Sequence, residues 1–394
     1  MTNCGYRTAA NGFSGAVAMT IESMAATPHP ASANAPNTGA RRATIDTLQV
    51  GRFLAAFAVL LFHANLTLAL PKYFGVEYAP AVRAGFSGVE FFFMLSGFII
   101  ALAHWRDQPG GAAVKRFALK RFVRLYPPLW VAIAIVVVAM IGLGTADFTS
   151  PLFLRGIIET VLLLPAEEEQ VLAVAWTLRH EVLFYAVFAI WLWKPQIGWP
   201  LGILMLLGSV AGGFVTSDYP IDFLFSPHNA LFGMGVAAAW AYRTRGTTIR
   251  HPLALLGVGT GLFAIVWTMV SMGLVSDKIA VWPFGLGAML AVLGAACWEA
   301  QRHPVMPRAL VFLGDASYSI YLIHFIAISL AAKIAVRLDA MLYLPGLLWF
   351  LLVSAAALVA GIGFHLIVER PLLRMSRDWI ARGKNKSQSA ISAG

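Results

Sequence analysis

The stretch GRFLAAFAVLLFHANLTLAL, residues 51–70, decides the fold. A helix needs about 20 mostly apolar residues to cross a bilayer, and this stretch supplies them. Yet it opens with Arg52 and carries His63 inside. An ionisable side chain within a span costs about 2.5–3.5 kcal/mol on insertion scales, so each is a functional candidate by default. Their spacing of about three helical turns puts both on one face, separated by roughly 16 Å along the axis. Each also has an ordinary reading, Arg52 as an interfacial anchor and His63 as an interhelical hydrogen bond.

Outward from this stretch the same signal repeats. Of the 394 residues, 59% are hydrophobic and only 12% charged, against about 25% charged in soluble domains. Mean hydropathy is +0.73. Repeated apolar runs without strand-like alternation predict an all-α, polytopic integral membrane protein, because backbone exposed to lipid must be paired internally. About ten spans are expected. They cover 48–70, 85–104, 128–145, 174–194, 197–216, 224–243, 251–274, 279–299, 309–333 and 345–368. The segment 151–165 is too short to cross and is expected at the interface or re-entrant.

Charge then orients the chain. Net charge is +10, which in a soluble protein would suggest a nucleic-acid partner. Here the cations sit in loops between apolar runs, and no nucleic-acid partner is expected. Arg41 and Arg42, Lys115 to Arg124, Arg243 to Arg250, Arg302 and Arg308, and the cations after Glu369 all fall on one side of a ten-span chain. That side is read as cytoplasmic, with both termini on it. Glu167, Glu168 and Glu169 fall outside, as do Lys333 and Arg337, the last two against the pattern.

Residues 1–44, rich in Ala, Thr, Ser, Asn and Pro, are expected to be a disordered leader. Residues 45–375 are expected to form the ten-helix membrane domain, and 376–394 a basic cytoplasmic tail. With only Cys4 and Cys297 present, a disulfide framework and a cysteine metal site are excluded, and no metal is expected.

Further polar residues interrupt the spans. Glu90 lies in GFSGVEFFFMLSGFII, whose small residues permit close helix packing. Glu181 lies one turn into span four, beside His180, where entry from outside would bring it to the depth of His63 and let it fix the imidazole tautomer. Arg121 and Arg124 lie at i and i+3 before span three, a pairing suited to phosphate groups as well as to an ordinary positive flank. His324 lies deep in span nine, and Glu369 with Arg370 closes span ten.

Taken together, Arg52 with ten residues before His63, GFSGVEFFFMLSGF, FALKRFVRLYPPLW, WTLRHEVLFY, GDASYSIYLIH and VERP resemble the membrane acyltransferase family 3. They run in that family's order over residues 45–375. The resemblance implies an O-acyltransferase of the bacterial inner (cytoplasmic) membrane, moving an acyl group, acetyl in the first instance, from cytoplasmic acyl-CoA to a glycan or glycolipid hydroxyl. It implies no permanently bound cofactor, acyl-CoA being the donor substrate. It carries activity over to Arg52 and His63, donor binding to Arg52, Arg121 and Arg124, and a catalytic role to Glu181, with Glu90 and His324 as further candidates. His180 departs from the family's pattern and has no reading from sequence. Many relatives add an esterase-like C-terminal domain; this chain stops soon after span ten, so a second stage would fall to a separate periplasmic partner. Two other readings stay open: a proton-coupled transporter relaying through His63, Glu90 and Glu181, and a non-catalytic subunit of a glycan export system.

Overall fold

The computed structural model describes residues 45–142, 144–166, 171–215, 217–338 and 344–379. The expected leader, residues 380–394 of the expected tail and the acidic triplet Glu167–Glu169 lie outside the described residues. Every regular element described is helical. The chain runs as α1 (Asp46–Leu68), a 3-10 turn (Pro80–Ser87), α2 (Gly88–His104), α3 (Gly111–Gly142), α4 (Pro151–Leu162) and α5 (Ala175–Trp193). It continues as α6 (Pro195–Gly212), one turn at Ile221–Leu224, α7 (Pro227–Arg245), α8 (Pro252–Ser271) and α9 (Asp277–Arg302). The short α10 (Arg308–Asp315), α11 (Ser317–Arg337), α12 (Gly346–Phe364) and a π turn (His365–Glu369) complete it.

Eight helical segments are long and apolar enough to cross a membrane. The other two expected spans are present as the helices α5 and α7, but they fall short in apolarity. The cause is visible in their sequences: Arg179, His180 and Glu181 enter α5, and His228 and Asn229 open α7. Of these polar groups, Arg179 and His180 are buried and the other three are half-buried. Helix α4 has only 12 residues, too few to cross, as its length predicts.

Two expected spans differ in detail. Span three is the apolar half of a 32-residue helix that begins at Gly111 and continues through Pro127 and Pro128. A proline pair survives inside a membrane helix where neighbouring groups satisfy the freed backbone. Span nine breaks at Ala316 into α10 and α11.

Helix α1 sits at the centre, packed on the 3-10 turn, α2, α9, α10, α11 and α12. Its first backbone amides have no intrahelical acceptor. Glu299 of α9 provides one: its carboxylate accepts from Asp46 N at 2.8 Å, and from Thr47 N and Thr47 Oγ1 at 2.7 Å each. Helix α2 runs antiparallel to α1, with Gly88 against Ala55 and Val59, and Gly51 against Phe91. A Cβ at Gly88 would fall inside contact with the Ala55 carbonyl, so this face of α2 requires glycine. Helix α11 runs the same way as α1, because Gly314 meets Gln49 at the start of α1 and His324 meets His63 further along. The bundle therefore has an Arg52 end and a His63 end.

Candidate active site

At the His63 end two imidazoles meet. His324 Nε2 lies 3.0 Å from His63 Nδ1, and the rings are 5.0 Å apart. His324 is fully buried. Its Nδ1 faces the carbonyl oxygens of Tyr321 at 2.6 Å and Ile320 at 3.3 Å. Carbonyls only accept, so Nδ1 of His324 carries the proton and Nε2 offers a lone pair. His63 Nδ1 then faces two acceptors, His324 Nε2 and Val59 O at 3.1 Å, and carries the proton in turn. The chain of bonds leaves His63 Nε2 with a free lone pair. Phe62 and Phe325 stand against the His63 ring with centroids at 5.0 and 5.6 Å, fixing its plane.

Toward the Arg52 end lies a second group. Arg52 Nη1 donates to Gln49 Oε1 at 3.2 Å, and the charges acting on it are those of Arg124, Glu369, Asp315 and Glu181. The Arg121 guanidinium lies over the rings of Phe117 and Tyr185, at 5.7 and 5.8 Å, and among the described residues its buried Nε has no hydrogen-bond partner. Glu369 is buried and accepts from Ser319 Oγ at 2.6 Å and His365 Nδ1 at 2.8 Å. Arg52, Arg121 and Arg124 are the donor-binding candidates read from sequence, while the Glu369–His365–Ser319 cluster at the π turn has no counterpart in that reading. The signal for it was the polar pair HLIVE at i and i+4.

Glu181 is not the partner of His63. It accepts from Ser96 Oγ at 3.2 Å and from the Tyr185 hydroxyl. Ser96 lies about two turns past Gly88 along α2, which runs toward the Arg52 end. Glu181 therefore belongs to the cationic group, and the tautomer-fixing position expected for it is held by His324.

Glu90 joins neither group. Its Oε1 is 3.7 Å from His228 Nε2, and its Oε2 has no partner among the described residues. His180, unread from sequence, pairs its Nδ1 with Asn229 Oδ1 at 2.9 Å, while Asn229 donates to the carbonyls of Phe223 and Leu224. His180 also lines a cavity of about 820 Å³ between α3, α5 and α11. Phe325, the ring against His63, forms part of its wall.

Fold and site define a multi-pass membrane protein in which a half-buried histidine of one helix is hydrogen-bonded to a fully buried histidine of another. The Acyltransferase domain family model matches residues 45–366, and the chain belongs to the membrane acyltransferase family 3. It is accordingly an O-acyltransferase. The exopolysaccharide production protein ExoZ of Rhizobium meliloti is 32% identical over 311 residues, 74% of this chain and 91% of that protein. Acyltransferase MdmB of Streptomyces mycarofaciens is 25% identical over 366 residues, 82% of this chain and 90% of its own. Peptidoglycan O-acetyltransferase OatA of Listeria monocytogenes is 25% identical over 326 residues, 72% of this chain but 49% of its own. No solved structure matches the chain.

Proposed function

We propose that the protein transfers an acyl group, acetyl in the first instance, from cytoplasmic acyl-CoA to a hydroxyl of a cell-surface glycan. The observation that carries this reading is the His324–His63 bond, which leaves His63 Nε2 as an oriented base. In the proposed step His63 Nε2 takes the proton of the acceptor hydroxyl as its oxygen attacks the thioester carbonyl. The tetrahedral oxyanion then collapses, the C–S bond breaks, and the imidazolium returns its proton to the departing thiolate. While His63 is charged, its Nδ1–H is shared with the neutral His324, which is itself anchored on the Tyr321 carbonyl.

The donor's phosphates suit Arg52, Arg121 and Arg124, whose guanidinium groups favour phosphate recognition. The roughly 16 Å rise between Arg52 and His63 then matches a donor lying extended along α1, phosphates at one end and thioester at the other. On this reading α5 and α7 also cross, giving ten spans in the bacterial inner membrane with both termini and the Arg52 end cytoplasmic. The names of ExoZ and OatA, exopolysaccharide production and peptidoglycan O-acetylation, support a glycan acceptor.

The test is acyl transfer by purified protein from acetyl-CoA to a glycan acceptor, comparing wild type with His63→Ala at equal amounts of folded protein. The variant is expected to lose about 100-fold or more. Undiminished transfer by His63→Ala would overturn the reading.

A further inference from the structure

The chain breaks at Ala316 between α10 and α11, so α11 does not take its orientation from the helix before it. Polar side chains near its start tie it to its neighbours instead. The Tyr318 hydroxyl donates to Leu125 O of α3 at 2.8 Å. Ser319 Oγ donates to Glu369 of the π turn at 2.6 Å. The Tyr321 hydroxyl lies 2.8 Å from Thr177 Oγ1 of α5, and His324 Nε2 meets His63 of α1.

The Tyr321–Thr177 bond has a direction. Thr177 Oγ1 donates to Val174 O at 3.0 Å, because a carbonyl only accepts. With the threonine proton spent there, the tyrosine donates to Thr177 Oγ1, and it also reaches Val174 O at 3.4 Å. Both side chains are buried, and a buried hydroxyl needs a partner in any case. Two placements give this bond more than that. Tyr321 stands one turn before His324, with ring centroids 5.7 Å apart, and its carbonyl is the 2.6 Å acceptor that holds His324 Nδ1. The residue that orients His324 through its backbone is thus itself fixed through its side chain. On α5, Thr177 lies one turn before Glu181 and on the same face, and Glu181 meets Ser96 and Tyr185. That single turn of α5 joins the histidine pair to the cationic group.

We propose that Thr177 is a positioning residue for acyl transfer: its hydroxyl pins Tyr321, and through it the turn of α11 that keeps His324 Nε2 on His63 Nδ1–H. The role in the reaction rests on the reading of His63 as the base, while the pin itself does not. Val59 O also holds His63 Nδ1–H, so losing the pin weakens the alignment of the base without abolishing it. A displacement of about 1 Å can cost about 100-fold, and a partial one is expected to cost about tenfold.

The test uses the full chain with three substitutions. Thr177→Val keeps the shape and drops the hydroxyl, Tyr321→Phe drops its partner, and Thr177→Ser keeps a hydroxyl in place. The first two should each lower kcat about tenfold with KM for acetyl-CoA and acceptor unchanged, and Thr177→Ser should recover most of the loss. Combining Thr177→Val with Tyr321→Phe should cost no more than either alone, and neither should cost more in a His324→Leu background. A second readout needs no activity: nitrogen NMR of histidine-labelled protein in bilayers, the two rings assigned by their loss in His63→Ala and His324→Leu. In Thr177→Val and Tyr321→Phe the His324 Nε2 resonance should move toward that of an imidazole nitrogen without a hydrogen bond, and in Thr177→Ser it should stay. An unmoved resonance in a folded Thr177→Val or Tyr321→Phe would sink the proposal. So would an unchanged kcat, a raised KM in place of a lowered kcat, or fully additive losses. A wild type that transfers nothing while the resonance still moves would overturn the catalytic reading and leave the pin standing.

Discussion

His324 meets His63 through a hydrogen bond of 3.0 Å and, with the Val59 carbonyl at 3.1 Å, keeps the His63 proton on Nδ1 and Nε2 free. A backbone carbonyl fixes the His324 tautomer, and His324 and Val59 O together fix the tautomer and ring position of His63. Replacing His324 by Leu should lower kcat while leaving KM for both substrates nearly unchanged. The loss is a share of the roughly 10²–10⁴-fold that a positioned base contributes. His324→Gln, whose amide oxygen can still accept from His63 Nδ1–H, should recover part of it. Steady-state kinetics on the two variants makes the comparison. Equal losses in both, or a rise in KM without a fall in kcat, would mean that His324 only packs.

The cationic end makes a separate expectation. If Arg124 and Arg121 hold the phosphates of the donor, Arg124→Ala should raise KM for acetyl-CoA about tenfold or more, the size of a lost charged hydrogen bond. Acetyl-pantetheine, which lacks those phosphates, should be used equally by wild type and variant. A matched rise in KM for both donors would place Arg124 outside donor recognition.

How far the sequence carries depends on what each residue's role needs. The helices were legible because lipid leaves a backbone no other choice, and their ends fell where prolines, glycines and charges interrupt apolar runs. Arg52 and His63 could be set on one face from spacing alone. Contacts between helices were not legible. GFSGVEFF announces close packing but not that Gly88 meets Ala55, and the i, i+4 spacing of Glu181 and Tyr185 is local but does not say that Ser96 of α2 joins them. His324 and His63 are joined across 261 positions of sequence, a pairing that only tertiary packing creates. His228 and Asn229 give no local sign of a role, because α7 reads as an ordinary span once its first turn is discounted.

Glu299 caps α1 from another helix, and its removal should act on stability rather than chemistry. Glu299→Ala leaves Asp46 N and Thr47 N without this acceptor, a loss of about 0.5–2 kcal/mol by comparison with side-chain caps. The apparent melting temperature in detergent should fall by a few degrees, with kcat per folded molecule retained. Loss of kcat at full stability would instead give Glu299 a part in the cationic end.

Glu77 ties the loop after α1 to the bundle, and its pH dependence has a definite sign. Asn65 Nδ2 donates to Glu77 Oε1 at 2.7 Å, Arg83 Nε reaches the same carboxylate at 2.8 and 2.9 Å, and Asn65 Oδ1 accepts from Ala79 N at 2.9 Å. The Arg83 hydrogen bonds come first in holding the Glu77 carboxyl below its ordinary value of 4.5. A carboxylate so lowered contributes stability that is fully present above the ordinary value and is lost as pH falls through the lower, folded one. Amide protection at residues 71–79, taken relative to intrinsic exchange rates, should therefore be high at neutral pH and fall as pH drops below 4.5. Glu77→Gln should show the lower protection already at neutral pH and lose the acid-dependent fall. A variant with wild-type exchange at neutral pH would show that the loop is held by the packing of Phe74 and Tyr78 against the core instead.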